Sequence, residues 1–410
     1  MSPSGSLHLF DAFGIELEYM IVDKDSLDVR PIADQLLTEV AGELTGEVEL
    51  GSMAWSNELA LHVLEFKVSD PVSDLTSVAQ QFMQQVQHAN SLLAKWNACL
   101  LPTAMHPWMN PATELRLWPH DNGPIYETFD RIFDCRGHGW ANLQSTHWNL
   151  PFHGDEEFGR LHAAIRIVLP LLPALAASSP IFDNQKQPWL DSRLEVYQSN
   201  CARIPSISGL VIPEPVFSER DYRSSIYEKI DQDIGPFDPH AVLNHVWLNA
   251  RGAIARFDRG AIEIRVLDIQ ESPPADLAIG QLMLKAISEL CQETYCRWDS
   301  QRQVDTVQLA GLLQATILAG PQAGVPSVLL GLFGIEGRES LTVGELWRIV
   351  FERNREELDT QTCEHLQLII EQGTLAQRIL DAIESKNLKE VYDRLAHCLQ
   401  HGSAFNLMQH

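Results

Sequence analysis

The sequence has no apolar segment long enough to cross a membrane, which takes about 18 residues or more. Its longest apolar stretch, IRIVLPLLPALAA, is shorter than that and contains two prolines. The N-terminal residues show no basic segment followed by an apolar one, so no secretory signal is predicted. We therefore expect a protein with neither a membrane-spanning helix nor a secretion signal.

Basic residues are scarce, with 30 Lys and Arg against 55 Asp and Glu and a formal net charge of -25. A surface this negative repels phosphate backbones and anionic lipid head groups. Binding to nucleic acid or to a membrane surface is therefore not expected. The expected partners are small-molecule substrates, and assembly into a homo-oligomer stays open.

Paired cysteines and several common catalytic signatures are also missing. The seven cysteines are scattered, odd in number and without a CxxC pair, which is typical of reduced thiols in the cytoplasm. The sequence contains no GxxxxGK[ST], GxGxxG, HExxH or GxSxG. It therefore gives no support to a P-loop, a Rossmann dinucleotide site, a zincin or a hydrolase nucleophile elbow.

The chain is nevertheless long and apolar enough for a large folded core, with 410 residues of which 45% are hydrophobic. Alternating patterns predict strands at FGIELEYMIV, ELALHVLEFKV and ANLQSTHWNLPF, and a hairpin at RGAIARFDRGAIEIRVLDI that turns at residues 258–260. Helical periodicity predicts ADQLLTEVAGEL, a long helix with Ser73 as its N-cap, and a helix from Glu156 toward Leu175. Long helices between a few strands favour an α+β fold with an antiparallel sheet.

The pattern becomes almost entirely helical from about Pro274 onward, interrupted by the glycine- and proline-rich segment LAGPQAGVPSVLLGLFGIEG. We therefore divide the chain into a catalytic domain with the antiparallel sheet, residues 1–290, and a helical C-terminal region, residues 291–410. The helical region is expected to pack on the same domain.

Pairs of polar residues two positions apart recur in the predicted strands. Glu16 and Glu18 lie in one strand and point to the same side, because side chains alternate along a strand. Two neighbouring carboxylates repel each other, and burying them is costly without a cation. The alternative for this pair is an edge strand with a solvated acidic face.

Two further strands carry such a pair, and a third carries a single glutamate. His147 and Asn149 form one pair, Glu263 and Arg265 form another, and Glu65 lies between Leu64 and Phe66. Each pattern alone is ordinary, and a Glu/Arg pair often forms only a salt bridge. Together on one sheet face, Glu16, Glu18, Glu65 and Glu263 would hold hard divalent cations such as Mg²⁺ or Mn²⁺, with His147 as a nitrogen ligand. Arg265 would then meet an anion directly.

These segments resemble the glutamate–cysteine ligase family and its carboxylate–amine ligase relatives in the glutamine synthetase-like superfamily. GIELEY is similar to the family's first metal-binding strand, and ELALHVLEF matches its next pair of acidic ligands, Glu58 and Glu65. STHWNLPF resembles the segment that carries a metal-binding His. GAIEIRVLD matches the strand in which a Glu binds metal and an Arg contacts the reacting carboxylate and phosphate, here Glu263 and Arg265.

The resemblance implies a curved antiparallel sheet that forms a funnel, with helices on the outer face and with ATP and two or three Mg²⁺ inside. It also implies a reaction in which a carboxylate, first the γ-carboxylate of glutamate, takes the γ-phosphate of ATP. An amine, with cysteine as the first candidate, then attacks the acyl phosphate to form an amide. Metal ions and an Arg suit this chemistry because they neutralise two approaching anions by position and charge alone.

Other polar residues are candidates for substrate binding. DSRLEVYQSNCARIP lies where the family supplies arginines to its substrate, which makes Arg193 and Arg203 candidates. Arg256 is a further candidate, because a guanidinium grips a carboxylate or phosphate with two hydrogen bonds, and Asn149 is another. The alternative for each arginine is a surface salt bridge, for Arg256 with Asp258.

Three other functions stay open at this point. The same metal face would serve a phosphotransferase that passes the phosphoryl group to another acceptor. A ligase-like fold could also bind a nucleotide or metabolite and regulate a partner. The third is a metal-dependent hydrolase that needs no ATP.

Overall fold

The structure is a computed structural model that describes residues 6–338 and 340–406. Its strands are β1 Gly14–Asp23, β2 Glu47–Leu50, β3 Met53–Asn57, β4 Val63–Val68, β5 Ala98–Leu101, β6 Ser145–Pro151, β7 Ile181–Phe182, β8 Gln185–Lys186, β9 Ala253–Arg256 and β10 Ala261–Asp268.

The α-helices of the described residues divide into two groups. Those before the last strand are α1 Ala33–Ala41, α2 Leu75–Leu93, α3 Pro111–Glu114, α4 Gly123–Phe133, α5 His138–Ala141, α6 Gly154–Val168, α7 Pro173–Ala176, α8 Ser192–Tyr197, α9 Glu219–Tyr222, α10 Glu228–Ile234 and α11 His245–Leu248. Those after it are α12 Pro273–Cys291, α13 Trp298–Arg302, α14 Thr306–Ala319, α15 Ser327–Leu330, α16 Val343–Asn354, α17 Thr360–Gln372, α18 Leu375–Ile383 and α19 Leu388–His401.

One large antiparallel sheet organises the molecule, in the order β2-β3-β4-β1-β6-β10-β9, and β5 pairs with the second half of β1. All pairings between its strands are antiparallel. The α+β fold with an antiparallel sheet and a helical C-terminal part is therefore confirmed.

The back of this sheet forms the hydrophobic core because the apolar residues of each strand alternate with polar ones. Ile15, Leu17 and Tyr19 on β1 are fully buried. Long helices cover this face, and α12 approaches β6 so closely that a Cβ on Gly280 would lie 2.0 Å from Cζ2 of Trp148. The core continues without a break from the sheet into the helices as far as α17 and also includes Leu399 of α19.

The hairpin near residue 258 and the strand around Glu16 form as expected, but several element boundaries differ from the sequence expectations. The long helix α2 is capped by Asp74 rather than Ser73, because the Asp74 carboxylate accepts the N–H of Ser77 at 3.2 Å. The helix expected from Glu156 toward Leu175 begins at Gly154 and gives way to a 3₁₀ turn at Leu169–Leu171.

Two expected elements are shorter than their patterns suggested. The first helix ends at Ala41, because Gly42 adopts a left-handed conformation with φ of 80°. The strand expected over ELALHVLEFKV begins only at Val63, so Glu58 lies in the connection that precedes it.

The C-terminal helices are anchored to the sheet by a buried ion pair. Glu271, just after β10, and Arg378 on α18 are each about 1% exposed, and their nearest side-chain atoms are 2.7 Å apart. Arg378 also donates to the carbonyl of Phe405, and the N–H of Phe405 donates to Glu271. Across the described residues, no helix combines the length and the apolar character needed to cross a membrane.

Candidate functional site

Four adjacent strands place the predicted acidic and histidine side chains on one face of the sheet. Glu18 on β1 stands opposite Glu65 on β4, and Glu16 stands opposite His147 on β6. Glu263 on β10 stands opposite Asn149 of β6. Residues directly opposite in an antiparallel pair point to the same side, so the strand order brings these groups together.

Hydrogen bonds connect this face at its centre. His147 Nδ1 lies 3.1 Å from Glu16 Oε2, and the Asn149 amide donates to Glu16 Oε1 at 3.1 Å. Glu18 accepts from both the backbone N–H and the hydroxyl of Ser145, at 2.7 and 3.0 Å. The same hydroxyl lies 2.9 Å from His147 Nε2. His147 is therefore held between the two carboxylates of β1.

The cluster contains two sets of side chains that fit a divalent cation. In each set one ligand atom per residue lies within 4.8 Å of the others. Carboxylate oxygens with one imidazole nitrogen suit Mg²⁺ or Mn²⁺, and the buried Oδ1 of Asn149 has no hydrogen-bond partner among the described residues. The sets are Glu16, His147 and Glu263, and Glu18, Glu65 and His147.

Burial and the neighbouring charges together set the pKa values of these groups. Burial would raise the pKa of Glu16, but its hydrogen bond and attraction to His147, with help from Lys67 and Arg265, lower that pKa to about 2. Burial and the negative charge of Glu16 raise the pKa of Glu65 to about 7. The face therefore carries more negative charge than its own cations neutralise, which is the condition that a bound metal ion relieves.

Two arginines converge on Glu263. Arg256 Nη1 donates to Glu263 Oε2 at 3.1 Å, and Arg265 Nε lies 3.2 Å from Glu263 Oε1. The Nε–H groups of both arginines are buried and have no hydrogen-bond partner in the described part of the chain. Arg256 therefore faces the site rather than forming only a surface pair with Asp258, whose carboxylate lies 3.7 Å away.

Arg193 is placed beneath this site by a buried ion pair. Its Nε donates to Asp268 at 2.6 Å, and its Nη2 donates to the carbonyl of Arg265 at 3.2 Å. Asp268 reaches this position because β10 has a bulge between Ile264 and Leu267, which sets Asp268 opposite Ser145. The bulge thus turns Asp268 to the same face as Arg265.

Two predicted residues stand apart from the metal-fitting sets. Glu58 lines the cavity described below, from the connection between β3 and β4, and burial with the nearby charges of Glu18 and Glu65 raises its pKa well above the ordinary range. Arg203 does not reach the cavity. Its guanidinium donates to the carbonyl of Ile132 at 2.8 Å and packs over the ring of Phe237, which is a structural role.

The site opens into a cavity of about 460 Å³ whose floor is the polar sheet face. Short helices α4, α5, α8 and α11 cover this face, so helices lie on both sides of the sheet and not only on its outer face. We call one side of the cavity the aromatic wall, defined as Tyr126, Phe129, Trp140 and Trp247. The cavity is therefore ionic on its floor and apolar along this wall.

Several residues of this face were not predicted from the sequence. Ser145 lies two positions before His147 and Lys67 two positions after Glu65, so strand alternation would have found both. Lys67 Nζ lies 3.4 Å from Glu65 Oε1. Asp268 and the aromatic wall have no such local signal, since a bulge and the packing of separate helices place them.

Comparison with known proteins agrees with this geometry. The family model for glutamate–cysteine ligase family 2 matches residues 12–395. An uncharacterised protein of Archaeoglobus fulgidus is 29% identical over 96% of this chain and 99% of its own length. A putative glutamate–cysteine ligase 2 of Bradyrhizobium diazoefficiens is 26% identical over 89% of this chain and 78% of its own.

A solved structure shares the fold. The glutamate–cysteine ligase of Francisella tularensis, in complex with AMP, superposes with a TM-score of 0.59 at 13% identity, covering 98% of this chain and 91% of that one. The family match spans all four strands of the acidic face and the C-terminal helices as far as α19. The chain is a member of glutamate–cysteine ligase family 2, with the fold of a carboxylate–amine ligase.

Proposed function

We propose that this protein is an ATP-dependent ligase that joins a carboxylate, first the γ-carboxylate of glutamate, to an amine. The observation that carries the proposal is the sheet face on which four glutamates and His147 surround a space bordered by Arg265 and Arg256. The family supports carbon–nitrogen ligation, and the AMP in the Francisella ligase supports a nucleotide as co-substrate. Cysteine is the first amine to test, from the name of the family.

The two sets of side chains described above would hold Mg²⁺ or Mn²⁺ through carboxylates and His147. When bound, such ions neutralise phosphate oxygens and position them. The ring of His147 is held in place by Glu16 and Ser145, so its orientation is fixed before any substrate arrives.

The reaction requires two substitutions in sequence. An oxygen of the substrate carboxylate forms a bond to the γ-phosphorus of ATP, and ADP leaves. The amine nitrogen then attacks the carbonyl carbon of the acyl phosphate, the C–N bond forms, and phosphate leaves. Arg265 and Arg256 would face these anions with their unpartnered N–H groups, which gives charge stabilisation without a protein nucleophile.

Trapping with hydroxylamine tests the first step. With ATP, Mg²⁺ and the correct acid, the protein should convert hydroxylamine to a hydroxamate. Glu263→Gln keeps the shape of the side chain and removes its charge, so it should abolish most hydroxamate formation while nucleotide binding falls much less. Ile264→Val is the control, since Ile264 is 1% exposed and points to the core. It should cost about 0.5–1.5 kcal/mol of stability and leave the trapping rate alone.

Absence of hydroxamate and of acid-dependent ADP release for every amino acid tested would contradict the ligase proposal. A nucleotide-binding regulatory protein would then take its place. ADP release with phosphate transfer to a hydroxyl acceptor would instead indicate a phosphotransferase.

A further inference from the structure

The cations of the cavity all belong to its ionic floor. Among the described residues that line it, the basic side chains are Arg193, Arg256, Arg265 and His147. The proposed reaction brings a triphosphate and a carboxylate to this floor. Arg256 and Arg265 border Glu263 there and, of the described arginines that line the cavity, are the two with unpartnered N–H groups, so these anions would occupy them.

Arg193 is not available to a further anion. It is 2% exposed, and its guanidinium is bonded to Asp268 and to the carbonyl of Arg265. Asp268 also accepts from the N–H of Ser178 and the hydroxyl of Ser179, at 2.9 and 2.7 Å. Asp268 belongs to neither metal-fitting set, so metal binding does not release Arg193 from this pair.

The aromatic wall offers no cation to a second substrate. Its residues are uncharged, and so are the other lining residues of α4, α5 and α11. The acidic side chain that borders it is Glu58, and burial, followed by the neighbouring carboxyl group of Glu58, raises the pKa of Tyr126. A carboxylate placed here would meet no basic side chain among the described residues of this part of the cavity, which is costly in a desolvated site.

The cavity has two buried hydrogen-bond donors without partners among the described residues, Nε1 of Trp140 on the aromatic wall and the hydroxyl of Tyr197 on α8, near Arg265. Both residues line the cavity. The rings of Phe129 and Trp140 pack with centroids 5.5 Å apart, and Trp247 is 49% exposed at the rim. Aromatic faces with neutral donors suit an aromatic ligand that carries a neutral oxygen.

We propose, resting on the ligase function above, that the amine acceptor is an arylalkylamine without a carboxylate, held by the aromatic wall. The ammonium form first loses one proton to water; the free amine nitrogen attacks the carbonyl carbon of the acyl phosphate, the C–N bond forms, and phosphate leaves with the second proton of the nitrogen as hydrogen phosphate. An amino acid of the same side chain is a poor acceptor, because its carboxylate has no cation to meet.

Matched pairs of acceptors test this proposal. Tyramine and tyrosine, and cysteamine and cysteine, differ only in the carboxylate, so each pair is compared with the acid that gives the most hydroxamate. We expect kcat/KM to favour tyramine over tyrosine, and cysteamine over cysteine, by about tenfold or more. Equal or reversed preference, with hydroxamate still formed, overturns this inference and leaves the ligase function standing. Failure of hydroxamate formation overturns both.

Substitution of Trp247 tests the place of binding. Trp247→Ala should raise KM for tyramine more than KM for ATP, and Trp247→Arg should lower the tyramine-to-tyrosine preference by supplying a cation. Val307→Ala, at a side chain that is 68% exposed on α14 and does not line the cavity, is the control. A larger rise in KM for ATP than for tyramine would assign the wall to the nucleotide base and overturn the proposal.

Discussion

The buried ion pair between Glu271 and Arg378 gives a prediction whose size follows from the structure. Arg378→Met keeps much of the apolar volume of the side chain but removes the charge. Glu271, about 1% exposed, is then left with the N–H of Phe405 at 3.0 Å as its remaining hydrogen-bond donor from the C-terminal segment. We expect this substitution to loosen the attachment of the C-terminal helices to the sheet.

The expected loss in the free energy of unfolding of Arg378→Met is the cost of leaving a buried charge without its partner, about 3–5 kcal/mol. The entropy of unfolding is about 2.1 cal/mol/K per residue, or about 0.9 kcal/mol/K for a chain of 410 residues. The melting temperature should therefore fall by about 4–6 °C at neutral pH. Lys389→Met removes an exposed pair with Asp393 and should lower it by about 1 °C or less.

The effect should also depend on pH in a defined direction. Burial raises the pKa of Glu271, but the charge and hydrogen bond of Arg378 outweigh burial and hold that pKa below its ordinary value of 4.5. The pair therefore stabilises the protein above pH 4.5, and this contribution is lost as pH falls through the lowered pKa. In Arg378→Met burial dominates, the carboxyl takes up its proton at higher pH, and the deficit relative to the unsubstituted protein should shrink toward pH 4.5.

Calorimetric melting of both variants at pH 7 and pH 4.5 measures these quantities. The double variant Glu271→Gln/Arg378→Met should recover part of the loss, because no buried charge remains. A melting temperature for Arg378→Met that equals that of Lys389→Met at pH 7, or a deficit that is the same at both pH values, would refute the reasoning.

Three further predictions concern the site and its packing. Arg265→Lys should reduce kcat/KM with folding intact, because Lys cannot reproduce a forked contact, and near-normal kinetics would place Arg265 outside the reaction. Activity should need more than one Mg²⁺ or Mn²⁺ per chain, since the carboxylates exceed what one ion with bound phosphates takes, and metal titration showing full turnover with one ion would contradict this. Gly280→Ala should destabilise the protein by about 1–3 kcal/mol through contact with Trp148. Gly311→Ala, where a Cβ meets nothing within 4 Å, should stabilise it by about 0.4–1 kcal/mol, as denaturant titration would show.

Much of the site could be predicted from the sequence, because the geometry of a single strand determines which side chains share a face. Side chains alternate along any strand, so the pairing of Glu16 with Glu18, and of Glu263 with Arg265, on one side follows from spacing alone. The resemblance to a ligase family then indicated that these strands belong together. The boundaries of helices and strands were harder to predict from the sequence. Asp74 and Ser73 are both good N-cap residues, and only the backbone conformation at the start of α2 decides which of them caps the helix.

Tertiary structure alone decided how these local pieces meet. The order β4-β1-β6-β10 makes neighbours of strands that are far apart in the sequence, and it sets Glu18 opposite Glu65. Whether each predicted arginine reaches the site depended on the residues that it contacts in the folded chain. Arg193 is locked by Asp268, and Arg203 is turned away toward Phe237.

The bulge in β10 shows most clearly where strand spacing and the tertiary structure give different results. Strict alternation would place Asp268 on the opposite face from Glu263, five positions earlier in the chain, but one extra residue opposite His147 reverses the alternation. The aromatic wall is decided in the same way, because α4, α5 and α11 reach the cavity from separate parts of the chain. A sequence fixes spacing within an element, whereas register and packing between elements depend on contacts that spacing does not encode.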